Sequence, residues 1–209
     1  MIRPKIQIFD NRSLWFFLGV GIVSSILWLM GDSTLNALMY HRDAIISGEF
    51  WRYLSGHLVH SNGWHLLLNL ASLTMIGLLF SSHLSIILWA LVFVLSGVMI
   101  SSGYFFVAVQ FQSYVGLSAI LYAVIIIGAL LDIKQQPLIA VLVLVVVTGR
   151  VIWQQFSGSM ESLASIIEDR VAIESHLFGI ISGYIQGFAL LLWQYKKAPN
   201  PALTSDNNS

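Results

Sequence analysis

The chain has 209 residues, 57% of them hydrophobic and only 10% charged, with ten basic and ten acidic side chains and no net charge. A soluble domain carries roughly 25% charge, so this composition belongs to an integral membrane protein with no room for a sizeable soluble domain. There is no basic field for nucleic acid, and the absence of cysteine excludes disulfides, a thiolate nucleophile and cysteine-bound metal.

Residues 1–13 form a short N-terminal stretch carrying Arg3, Lys5 and Arg12. The apolar run over 14–30 is long for a signal-peptide core and no small-residue cleavage site follows it, so it reads as a retained first span. Further apolar segments lie at 64–80, 84–103, 115–131, 138–153 and 175–195, each near the roughly 20 residues that a span needs. They predict an all-α membrane protein, a bundle of six transmembrane helices over residues 14–195. The remainder, 196–209, reads as a disordered cytoplasmic tail.

Basic residues set the orientation. Arg3, Lys5, Arg12, Lys134, Lys196 and Lys197 fall on one side, against Arg42, Arg52, Arg170 and, near the outer end of the fifth span, Arg150. That bias puts both termini in the cytoplasm. The connections near Ser81 and over 132–136 are tight. The loop over 31–63 is long and external. In it Phe50, Trp51, Tyr53, Leu54, Leu58 and Val59 are interleaved with charged and small residues, which predicts a loop partly embedded in the membrane interface.

Several polar residues share one depth. At 1.5 Å per residue in a core about 30 Å thick, Ser118 lies about 9 Å below the outer face, Asn69 about 12 Å, His65 about 6 Å and His176 about 5 Å. Ser118 lies two residues after Gly116 and four before Tyr122. Alone, this pattern is more simply small-residue helix packing. The coincidence in depth with two histidines and an asparagine favours a site, because polar groups inside a membrane are costly.

A serine hydroxyl becomes a nucleophile when a base takes its proton. His176 is the histidine of the last three spans, and Gly179 and Gly183 on its face permit close approach to the helix of Ser118. Tyr122, one turn below the serine, is positioned to pack against the imidazole. No acid inside the membrane orients the histidine, so the expected unit is a Ser–His dyad. His65 and Asn69, at i and i+4, would join the Ser118 amide as donors to an oxyanion; their plainer reading is interhelical hydrogen bonding. His57, His60 and His65 lack an acid at ligand spacing, so neither metal nor cofactor is expected. His41 and His83 read as ordinary interfacial residues, Glu174 and Asp169 as caps of the last helix, and Arg150 as snorkelling outward. Gly19, Gly21, Gly77, Gly97 and Gly128 read as packing glycines.

These residues resemble the rhomboid family of intramembrane serine proteases. The resemblance is carried by Trp51-Arg52, by His60, His65 and Asn69 in an H-x4-H-x3-N pattern, by Gly116-x-Ser118 with Tyr122, and by His176-x2-Gly179-x3-Gly183. It implies a rhomboid-like six-helix fold in which Ser118 is the nucleophile and His176 the general base. His65, Asn69 and the Ser118 amide would form the oxyanion site, with Gly116 and Tyr122 in support. Where the family usually has glycine after the serine this chain has Ala119, and Ser175 replaces a frequent alanine. The 56–60 and 66–71 runs are similar to rhombosortases, enzymes of Gram-negative bacteria. That implies a multi-pass inner-membrane protein, with its site opening to the periplasm, acting on membrane-anchored proteins that bear a Gly-Gly-containing C-terminal tail. Three alternatives stand beside this: a general rhomboid protease of type I membrane proteins, a non-catalytic rhomboid-like binding module, and a small channel or transporter. The last is disfavoured by the lack of Asp, Glu or Lys at mid-depth.

Overall fold

A computed structural model describes residues 12–157 and 173–197. Its elements are α1 (Leu14–Leu29), α2 (Asp32–Leu38), β1 (Tyr40–His41), α3 (Arg42–Ile46), α4 (Arg52–Ser55), α5 (Gly63–Phe80), α6 (Ile86–Phe106), β2 (Ser113–Tyr114), α7 (Ser118–Asp132), α8 (Pro137–Ser157) and α9 (Ile173–Lys197), with a 3-10 turn at Ser81–His83 between α5 and α6. Arg3, Lys5, Glu161, Glu168, Asp169, Arg170, Pro199 and Pro201 lie outside the described residues.

Every apolar segment contains a helix, but not every helix is long enough to cross a membrane. The helices α5, α6, α8 and α9 pass on length and hydropathy; α1 passes only together with α2, from which it is bent by 120°. The helix α7 has 15 residues and spans about 22 Å, short of a hydrocarbon core about 30 Å thick. Length and composition therefore support four or five membrane-spanning helices, against the six expected.

The short helix occupies the centre. Eleven residues of α7 are buried, among them Ala119, Ile120, Ala123, Val124, Ile126 and Ile127. It packs against α5, α6, α8 and α9, most extensively against α9. Glycines make that contact possible. A Cβ on Gly179 would stand 2.3 Å from the Ala119 carbonyl oxygen, and one on Gly183 would stand 2.8 Å from that of Ala123. Gly77, Gly97 and Gly128 likewise meet neighbouring side chains, whereas a Cβ on Gly19 would meet nothing within 4 Å, so Gly19 is not a packing glycine. By contrast α8 buries only Ala140, Val151 and Gln154, and exposes Leu138, Leu142 and Val145. Apolar side chains turned outward in this way suit lipid rather than water.

The loop over 31–63 is folded, not merely draped over the surface. Gly31 turns the chain out of α1 at φ +81°. Arg52 ties the loop together: its guanidinium donates to the carbonyls of Asn36 at 2.9 Å and Met39 at 2.8 Å, and its Nε pairs with the Glu49 carboxylate at 2.6 Å. Trp51 donates from its indole to the Ala37 carbonyl, and Ser55 to that of Leu38. The side chains of Ile46, Phe50 and Trp51 stay exposed on the outside. Strand β1 pairs antiparallel with β2, Tyr40 opposite Tyr114. The Arg42 amide donates to the Gln112 carbonyl and the Gly116 amide to that of Gly56. The first loop is thereby stitched to the segment that leads into α7.

Two histidines have more specific roles than the sequence suggested. His41 caps α3, its Nδ1 accepting from the Ala44 amide. His83 pairs with Asp132 at 2.7 Å and donates from Nδ1 to the Phe80 carbonyl at 3.1 Å, joining the ends of α5 and α7.

Candidate active site

Ser118 is the first residue of α7, after Leu117 at the cap position. The first amides of a helix have no intrahelical acceptor and carry its positive dipole end, so a reacting group here meets free donors. The approach to the helix is shaped by Gly116 at φ +111°, a conformation that favours glycine. Space demands glycine here as well: a Cβ on Gly116 would lie 2.5 Å from Nε2 of His65. The imidazole of His65 therefore lies directly against the backbone two residues before Ser118.

His176 comes from the first turns of α9 and is buried at 7% exposure. Its Nε2 lies 3.1 Å from the Ser118 hydroxyl oxygen. Tyr122 lies over the imidazole, ring centroids 4.5 Å apart and planes at 43°. The tight glycine contacts of α9 on α7 set this register, because Gly179 follows His176 by one turn on the same face.

His65 is half-buried, its Nδ1 3.1 Å from the Ser61 hydroxyl. Asn69 is buried one turn below, and its amide nitrogen donates to the His65 carbonyl at 2.9 Å. The α5 helix that carries both is capped by Asn62, whose side chain accepts from the His65 amide at 2.9 Å. His60 is buried with its ring 5.0 Å from that of His65. Burial, and then the neighbouring His65, pushes the His60 pKa down to about 3. His57 is fully buried in the loop, with Nε2 3.2 Å from the Gly97 carbonyl and 3.1 Å from the Ser101 hydroxyl. Burial pushes its pKa down to about 4, against the opposing pull of the backbone carbonyls.

Ser118, His176, His65, Gly116 and Tyr122 are thus gathered at the N-terminal end of α7, with Asn69 one turn further along α5. Among the described residues, no group of three or more histidine or acidic side chains is arranged to hold a metal ion. Two residues near the serine escaped the sequence reading. Tyr114 donates from its hydroxyl to the Gly116 carbonyl at 2.6 Å and lies against the Ser118 hydroxyl and the Ala119 amide. Gln154 of α8 presents Oε1 3.3 Å from Nδ1 of His176. Gln154 stands just past the end of the 138–153 apolar segment and belongs to no motif, so the sequence carried no signal for it.

A family model described as Rhomboid domain matches residues 47–193. The chain belongs to the rhomboid family. Among curated proteins no match to the chain is found. Rhomboids are intramembrane serine proteases, with inactive members among them, and act on membrane proteins in the bilayer. The rhomboid domain begins before α4 and ends within α9, so α1, α2 and α3 precede it.

Proposed function

We propose that this rhomboid is an active serine endopeptidase that cleaves membrane-anchored proteins within or near their membrane segment. The observation that supports it most is the 3.1 Å approach of the Ser118 hydroxyl to Nε2 of His176 at the start of a buried helix. In this reading His176 takes the Ser118 proton as the oxygen attacks the scissile carbonyl. The oxyanion that forms is met by the Ser118 amide, His65 and Asn69. Asn69 spends one N–H on the His65 carbonyl and keeps a second for this purpose. His176 then gives its proton to the leaving amine, and water hydrolyses the acyl-serine by the reverse sequence. No cofactor or metal takes part. The site opens toward the outer face because α7 stops short of it. Both termini lie in the cytoplasm and six helices enclose the site, α1 and α7 counted as spans. Within the family we assign the chain to the rhombosortase type of the bacterial inner membrane, on the 56–60 and 66–71 runs.

Co-expression with two tagged substrates tests this. One carries a Gly-Gly-containing C-terminal tail with its membrane segment. The other is a type I anchor with small residues near its outer end. Ser118→Ala is expected to abolish cleavage while the protein accumulates normally. Serine-dependent cleavage of the first substrate alone supports the rhombosortase type; cleavage of the second supports a general rhomboid protease. Undiminished cleavage by Ser118→Ala would refute the mechanism.

A further inference from the structure

We propose that Gln154 is a positioning residue for catalysis, holding His176 in the one tautomer from which it can act as a base. The inference rests on the protease reading above and adds a third member to a site that the sequence suggested was a dyad.

The two nitrogens of the His176 ring have different partners. Nε2 of His176 faces the Ser118 hydroxyl, so it must be unprotonated to accept the serine proton. A neutral imidazole then carries its hydrogen on Nδ1, and that N–H needs an acceptor. Oε1 of Gln154 lies 3.3 Å away. The opposite amide orientation would donate to Nδ1, drive the hydrogen to Nε2 and disable the base. The productive chemistry and the observed orientation therefore agree. Tyr122 covers a face of the ring and restrains its tilt. A contact at Nδ1 restrains what stacking leaves free, rotation within the ring plane.

The surroundings of Gln154 support a dedicated role. It is 3% exposed, on a helix whose other buried residues are Ala140 and Val151. Burying a primary amide in an apolar contact is unfavourable unless the amide is hydrogen-bonded. The helix is also fastened at this level. Gln155 donates to the Ile173 carbonyl at 3.0 Å, and the hydroxyls of Thr148 and Tyr184 meet at 2.7 Å. These links hold α8 against α9 on both sides of Gln154. A carboxylate at this point would bury a charge inside the membrane; a neutral amide supplies the acceptor oxygen without that cost.

The test uses the full-length protein in liposomes and a fluorophosphonate probe, whose reaction requires a base-activated serine and no protein substrate. Wild type is expected to label and Ser118→Ala not to. Gln154→Leu and Gln154→Met, which remove the amide oxygen, are expected to label roughly tenfold more slowly, the loss of about one good hydrogen bond. Cleavage kcat should fall in parallel with KM unchanged. Gln154→Glu, which restores an acceptor oxygen, is expected to recover most of the rate. Two apolar variants are used so that a folding defect in one leaves the other informative. Labelling at the wild-type rate by either folded apolar variant overturns the inference and leaves the protease reading intact. So does a Gln154→Glu variant that unfolds at the wild-type midpoint yet labels as slowly as the apolar pair. A wild type that labels no faster than Ser118→Ala overturns both.

Discussion

At the scale of single residues, the site depends on positions where a side chain is forbidden as much as on those that carry chemistry. Gly116 combines φ +111° with an imidazole 2.5 Å from where its Cβ would stand. An alanine there must leave the left-handed region or displace His65. The strain is about 1–3 kcal/mol. We expect Gly116→Ala to lower the unfolding free energy by about that much and to cut cleavage at least about tenfold, because the backbone it distorts leads directly into Ser118. Thermal unfolding and cleavage rates measured side by side check both; full activity would mean that His65 does not need its present place. Gly116, Ser118, Tyr122 and His176 were legible in the sequence because motif spacing carries them. Gln154 was not, because a glutamine belongs to no motif and its value depends on the rotation of α8 about its own axis against α9. Tyr114 was hidden for a related reason, since only the pairing of β1 with β2 across the chain turns it toward the serine.

The elements were legible where hydrophobicity alone defines them. Six apolar segments gave six helices, and their ends moved by only a few residues. The fold of the 31–63 loop was not legible. Its helices are short, its one strand has two residues, and its order comes from Arg52 binding carbonyls that no local pattern reveals. Glycine roles divide in the same way. Gly19 and Gly128 look alike in a hydrophobic string, yet one faces open space and the other the Phe80 ring. Overpacking of a tight contact costs about 1–3 kcal/mol. Gly179→Ala is therefore expected to destabilise the fold by about that much and to slow cleavage, since it pushes α9 and His176 away from α7. Gly19→Ala should be neutral or slightly stabilising, by up to about 1 kcal/mol from helix propensity. Equal unfolding midpoints for the two variants would show that the α7–α9 contact is looser than the structure has it.

The whole molecule is a helix bundle in which the folded loop over 31–63 holds two buried imidazoles. His57 and His60 have pKa values pushed down to about 4 and about 3, each chiefly by burial. An unfolded chain binds protons at histidine below about pH 6.5. Between that pH and the depressed values the unfolded state holds more protons than the folded one, so stability rises with pH. The contribution is complete above the unfolded value and is lost as the pH falls toward the folded ones. The loop is stitched to β2 and to Gly116, so its loosening reaches Ser118 as well as the fold. Thermal unfolding in detergent should therefore show a midpoint that drops from about pH 7.5 to about pH 5. Cleavage should become heat-labile over the same range. His60→Phe removes one of the loop's two buried imidazoles and is expected to flatten the slope while leaving Ser118 and His176 in place. A midpoint independent of pH in the wild type, or a slope unchanged in His60→Phe, would mean that the acid sensitivity lies elsewhere in the chain.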